Sequence, residues 1–294
     1  MYNQITENKR KTLFLIFIFL VFIIGIAWFA DVYLGYGYSL VSTAIVISGG
    51  MTLISYFAGD KIALASTGAK EIQAKDNPYI WRMIENLAIT SGLPMPRVYI
   101  INSPALNAFA TGRDPKHASI AVTTGLIQAL ENEEMEGVLA HELSHIQNYD
   151  IRVMTIVVVL VGAIAILSDM FFRARLMGHS DNDNRSSGQL GSILAIFGIV
   201  LIVLSPIIAE LIKLSISRRR EYLADASGAL LTRYPEGLAR ALEKISTSAT
   251  PLQTASTATA HLFISNPLKG KTISHLFSTH PPIEDRIKKL REMV

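Results

Sequence analysis

Cysteine is missing from this chain of 294 residues. Its absence excludes a disulfide framework and any thiolate metal site, so a bound metal must be held by His, Asp or Glu. Excess charge of one sign is scarce as well. The formal net charge is +3, and the basic residues gather beside apolar runs, where they report topology; no nucleic-acid partner is expected. A glycine-rich phosphate loop and an internal repeat are also absent. Apolar side chains are what the chain has in plenty. They make up 50% of it, and the mean hydropathy of +0.35 exceeds that of an ordinary soluble enzyme. A membrane protein is expected.

The apolar residues fall into four runs. Residues 12–30 are uncharged and follow Lys9, Arg10 and Lys11; the run is longer than the core of a signal peptide needs. Residues 39–58 form a second uncharged run. Each can cross a hydrocarbon layer of ~30 Å as a helix. The basic N-terminus, with Lys61, Lys70 and Lys75 after the second run, places both ends of this hairpin in the cytoplasm and residues 31–38 outside. Two more runs follow, 153–172 and 190–209. Arg173, Arg175 and Arg185 lie between them and count against an external loop. Full spanning and partial burial against a soluble domain both stand as readings of this pair.

The remaining sequence has soluble composition, and the chain divides into 1–60, a transmembrane hairpin; 61–150, the first part of a catalytic domain; 151–213, a second transmembrane pair; and 214–294, the second catalytic part. Tyr79–Ser91 has the pattern of an amphipathic helix. Arg97–Ile101 and Ala118–Thr123 have that of short strands, with a loop between them over 102–112. The Ser-, Thr- and Ala-rich stretch 246–259 is expected to be lid-like. The last helix, from Pro282 onwards, alternates acidic and basic residues and is expected on a solvated face.

One stretch carries chemistry. In His141-Glu142-Leu143-Ser144-His145, the two histidines lie one helical turn apart, so both rings can reach one metal ion. Glu142 can then act as a base on a water at an open metal position. Asn132 is expected to cap this helix, and Glu133, Glu134 and Glu136 suit its first turn. A third ligand is still needed. Metzincin spacing would require glycine at 148 and histidine at 151; Asn148 and Ile151 exclude that class. The four glutamates at 131, 133, 134 and 136 argue against an intramembrane site. Glu221 is the best candidate, with Asp225 on the same helix face behind it. His145 lies eight residues before Val153 and Glu221 eight after Lys213. If the helices are continuous, both sit ~12 Å from one membrane face. The alternative is that Glu221 only pairs with the neighbouring arginines. The strand 118–123 either offers its edge to an extended substrate or is an ordinary core strand.

The H-E-L-S-H helix, E-Y-L-A-D-A at 221–226, N-A-F-A-T-G at 107–112 and T-H-P-P at 279–282 together resemble the HtpX membrane metalloproteases, relatives of the CAAX prenyl protease. The likeness covers nearly the whole chain, with no departure at a motif position. It implies a zinc endopeptidase in the bacterial cytoplasmic membrane, with its site facing the cytoplasm. Its substrates would be misfolded or damaged membrane proteins, in quality control and stress response. It implies one zinc on His141, His145 and Glu221, and a substrate cleft lined by Asn107 and Ala108. Asp225 would orient a ligand histidine. His280, fixed before Pro281 and Pro282, and Arg286 are candidates for stabilising the oxyanion; the prenyl-protease relatives support this by resemblance. The alternative is a surface turn, with Arg286 paired to Glu284 or Asp285. The expected fold is α+β and mostly helical, a zincin-like domain combined with four transmembrane or membrane-associated helices.

Overall fold

The computed structural model describes residues 2–34, 38–177, 218–248, 250–256, 258–267 and 281–293. Two long helices open the chain, α1 (Tyr2–Leu34) and α2 (Ser39–Ser66). Both are long and apolar enough to cross a membrane. Leu13, Phe17 and Val21 on α1 and Val46, Leu53 and Phe57 on α2 are exposed, which suits a lipid-facing surface. The Asp31 carboxylate accepts from the backbone N–H groups of Leu40 (3.3 Å) and Val41 (2.9 Å). It thereby satisfies donors that the first turn of α2 cannot bond internally.

The opposite faces of these helices meet α6 (Asp150–Met177). Leu15 packs with Val153 and Val157, and Phe19 with Ile156 and Leu160. Gly59 permits the close crossing of α2 and α6, because a Cβ there would lie 2.8 Å from Thr155 Cγ2. The helix α6 begins three residues before the third apolar run, whereas the fourth run, 190–209, lies outside the described residues. Among the described residues two helices pass as spans, or three if α6 is counted together with the helix bent against it. The expected four are not all seen.

The sheet has the order β1-β2-β4-β3, formed by β1 (Lys70–Glu71), β2 (Arg97–Ile101), β3 (Ala108–Gly112) and β4 (Ala118–Thr123). The strands β2 and β4 run parallel, and β3 is antiparallel to β4. Two expectations change here. The stretch 102–112 is not all loop, since its second half is a fully buried strand. Small residues such as Ala108, Ala110 and Gly112 give little strand signal, but they pair through backbone. The edge strand beside the metal helix is therefore β3, and β4 is an interior strand. Gly112 has φ 144°, and a Cβ there would meet His117 O at 2.3 Å, so this turn requires glycine.

Helix α3 (Pro78–Ser91) is capped by Asn77, whose side chain accepts from Ile80 N. It packs under the sheet with α5 (Asn132–Gln147), which follows the short α4 (Thr124–Ala129). Asn132 is not the cap of α5. Glu131 stands at that position, and buried Glu134 reaches back to its N–H at 2.9 Å, because an acid at the third helical position closes the turn better than a lone Asn. Helix α7 (Arg218–Thr232) crosses α5 where Gly228 would place a Cβ 3.0 Å from His141 N. Helix α8 (Pro235–Thr247) crosses at Gly137, where a Cβ would lie 2.7 Å from Leu238 N.

The expected continuity from the metal helix into the third apolar run fails. Between α5 and α6 the chain bends by 83°, because Tyr149 adopts a left-handed φ of 61° and ends the helix. The stretch 246–259 does not stand away as a lid in its described part. Leu252 and Ala255 are buried beside Phe263, which packs edge-on against Phe109 at 5.0 Å. The last helix, α9 (Ile283–Arg291), is solvated on one face only; Arg286 and Leu290 are buried on the other.

Candidate metal centre

Helix α5 presents His141 and His145 towards α7, and α7 returns Glu221 to them. The two Nε2 atoms are 3.2 Å apart. Glu221 Oε2 lies 3.9 Å from His141 Nε2, and Oε1 lies 3.5 Å from His145 Nε2. One donor atom from each residue falls within 4.8 Å of the others, and all three side chains are buried. Glu221 faces the histidines, so the alternative of a simple pair with Arg218–Arg220 does not describe it.

Behind each histidine stands a carboxylate. Asp225 Oδ1 is 3.0 Å from His141 Nδ1, and Asp150 Oδ2 is 2.9 Å from His145 Nδ1. Each carboxylate is in turn held by an arginine. Arg286 donates to Asp225 through Nε at 2.8 Å and Nη2 at 2.7 Å, while Arg220 Nη1 pairs with Asp150. Asn8 also donates to Asp150 Oδ1, at 2.7 Å. Burial alone would raise both carboxyls, but the imidazole and guanidinium partners hold both below the usual carboxylate range.

These residues fit a metal. Carboxylates only accept, so each Nδ1 carries a proton, and with a metal bound the two Nε2 lone pairs would converge on it with Glu221. Such a cluster is favourable only around a positive charge. Burial lowers His145, but its bond to Asp150, together with Glu221 and Glu142, raises it to about 9. His141 stays below its ordinary value, because burial outweighs Asp225. A set of two imidazoles and one carboxylate, leaving a coordination position open, suits catalytic zinc.

Glu142 is 2% exposed, and the Ala110 backbone N–H on β3 favours its charged form. Burial raises it from 4.5 to about 7, against the pull of His145. A carboxyl balanced near neutrality can both take and return a proton.

The other expected residues fall as follows. Asn107 precedes β3 and Ala108 opens it, and both are buried; Asn107 Nδ2 donates to Ser265 O at 3.0 Å, and Ile264 N donates to Ala108 O at 3.0 Å. Arg286 reaches the site, and its guanidinium is spent on Asp225, on Ile264 O at 3.2 Å and on Glu221 at 3.5 Å. It lies behind the ligands and holds carboxylates, and it pairs with neither Glu284 nor Asp285. His280 lies outside the described residues. Asp150, Arg220 and Asn8 carry no expectation from the sequence. Asp150 sits between positions 148 and 151, which the metzincin spacing tests. The available signal was that each ligand histidine needs an acceptor at Nδ1.

Known proteins resemble this chain along its length. The profile of Peptidase family M48 matches residues 74–294. Protease HtpX homologs are similar along the whole chain. That of Tropheryma whipplei (strain TW08/27) is 48% identical over 293 residues, covering 100% of this chain and 98% of the relative. That of Streptococcus uberis is 43% identical over 298 residues, covering 100% of both. A crystal structure of S. mikatae Ste24p aligns with 99% of this chain and 67% of its own, at 21% identity and a TM-score of 0.48. The chain belongs to Peptidase family M48, alongside the HtpX proteases.

Proposed function

We propose that this protein is a zinc-dependent endopeptidase of the bacterial cytoplasmic membrane that cuts misfolded or damaged membrane proteins on the cytoplasmic side. The observation that carries the reading is the convergence of His141, His145 and Glu221 beside Glu142. His141, His145 and Glu221 would hold the zinc. When bound there, zinc supplies a Lewis acid that polarises a carbonyl and acidifies water.

The chain's own groups do the rest. Glu142 takes the proton of the attacking water on its carboxylate and returns it to the leaving amine, so the peptide C–N bond breaks as the new C–O bond forms. Asp225 and Asp150 keep the two imidazoles oriented. An extended substrate would approach along β3, where Asn107 and Ala108 now hold Ser265 and Ile264; we count both as cleft residues. Arg286 acts here as a positioning residue through Asp225. We retain His280 as the oxyanion donor, because the rigid Pro281-Pro282 pair follows it. His280→Ala is expected to lower kcat by about 10²–10³-fold with zinc content unchanged; a variant with wild-type kcat removes it from the mechanism.

In the same reading four apolar segments, including 190–209, anchor a catalytic domain divided between 61–150 and 214–294. The test is cleavage of an unfolded model protein by the full chain in detergent. Cleavage should stop with a chelator and return with zinc. Cleavage that persists in chelator contradicts the reading.

A further inference from the structure

The N-terminal span contributes a side chain to the metal centre. Asn8 lies on α1, ahead of the run 12–30, and is fully buried at 0% exposure. Its Nδ2 makes two bonds to groups distant in sequence, Asp150 Oδ1 at 2.7 Å and Asn148 O at 2.8 Å. Both partners are acceptors, so the amide nitrogen must face them. Asn148 is the C-cap of α5, where carbonyls lack partners within the helix. Asp150 holds His145 Nδ1. One amide thus fixes both the end of the metal helix and the carboxylate that orients its second histidine. It does so at the 83° bend, where Tyr149 sits in a left-handed conformation unfavourable to its side chain. A fully buried amide is costly unless its hydrogen bonds are made, and Asn8 Nδ2 makes two. Asn8 also lies outside residues 74–294, which the family profile matches, so the protease domain alone does not supply it.

We propose that Asn8 is a positioning residue of the metal centre: it locks Asp150, and through it the His145 ring, to the N-terminal transmembrane helix. The helix is then a structural part of the site as well as an anchor, and a catalytic domain lacking it holds metal less tightly. This rests on the zinc-protease reading above.

Asn8→Leu keeps the volume and removes the donor, while Asn8→Asp sets a second carboxylate against Asp150. Asn8→Gln keeps the donor on a longer arm. The packing control is Leu15→Ala, further along α1, which loses contacts to Val153 and Val157 and does not reach Asp150. Zinc affinity of the full chain in detergent is measured by competition with a chromogenic chelator, and the absorption bands of bound Co²⁺ report ligand geometry. The expected result for Asn8→Leu is zinc binding weaker by about tenfold, the lower end for an outer partner of a metal ligand. Shifted Co²⁺ bands and a reduced kcat at saturating zinc, with unchanged KM, should accompany it. Asn8→Asp should be weaker still, Asn8→Gln should recover part of the loss, and Leu15→Ala should bind zinc as wild type does. Should Asn8→Leu not fold, Asn8→Gln against Leu15→Ala makes the same comparison. Wild-type affinity and Co²⁺ bands in Asn8→Leu overturn the proposal, as does an equal loss in Leu15→Ala. A wild-type chain that takes up no zinc removes the protease reading, and this proposal with it.

Discussion

His141 and His145 stand one turn apart on α5, yet their supports come from different parts of the chain. Behind His141 lie Asp225 and Arg286, on α7 and α9, and the pair is sealed, with Arg286 at 0% exposure. Behind His145 lie Asp150, Arg220 and Asn8, drawn from the start of α6, from α7 and from the N-terminal span. The first support is internal to the protease domain. The second is where that domain meets the apolar helix α1. On the proposal above, His141 is oriented from within the protease domain, and His145 also through Asn8 of the apolar helix α1.

The largest effect expected from breaking this contrast is on stability. Arg286→Leu leaves the Asp225 carboxylate buried without its guanidinium, a loss of about 3–5 kcal/mol. Arg220→Leu should cost less, because the Arg220 side chain keeps 13% exposure and Asn8 still donates to Asp150. Thermal unfolding of both variants in detergent compares them directly. Equal losses would show that the two supports are equivalent.

A smaller and sharper effect concerns pH. Burial lifts Glu142 from 4.5 to about 7, and Arg286 is among the charges that hold it down. The folded-state value is raised, so the proton is bound more tightly in the native enzyme, and the base form is lost as pH falls through that value. The acidic limb of kcat/KM therefore lies above the ordinary carboxylate range, except as far as bound zinc draws it back down. Arg286→Gln should move the limb to higher pH, and Arg220→Gln, whose charge is not among the main influences on Glu142, should leave it in place. A pH profile of the two variants tests the sign. A limb that moves only in Arg220→Gln would reverse the assignment.

The parts of this site that were legible from sequence are those set by local periodicity. A turn of helix puts His141 and His145 on one face wherever it lies, and the same spacing puts Glu221 and Asp225 together on another. The strands β2 and β4 were readable from their β-branched residues, Val98, Ile100 and Ile101 in one and Ile120, Val122 and Thr123 in the other. What was not legible depends on tertiary contact. The strand β3 is made of alanine, phenylalanine, threonine and glycine, and becomes a strand only because β4 and α6 lie on either side of it; Thr155 accepts from Gly112 N at 3.1 Å. The bend at Tyr149 follows from no glycine or proline, and the spacing argument through continuous helices fails there even though Glu221 does reach the histidines. Burial of Arg286 within a helix of alternating charge, and the long-range bonds of Asn8, have no local signature at all.

The most direct test of the account is Glu142→Gln in the full chain, with zinc content determined by elemental analysis alongside hydrolysis of an unfolded substrate. Glutamine preserves shape and removes the base, while His141, His145 and Glu221 are untouched. The account predicts one zinc per chain and hydrolysis lowered by about 10²–10⁴-fold. Loss of zinc together with activity, or full activity without the carboxylate, would contradict it.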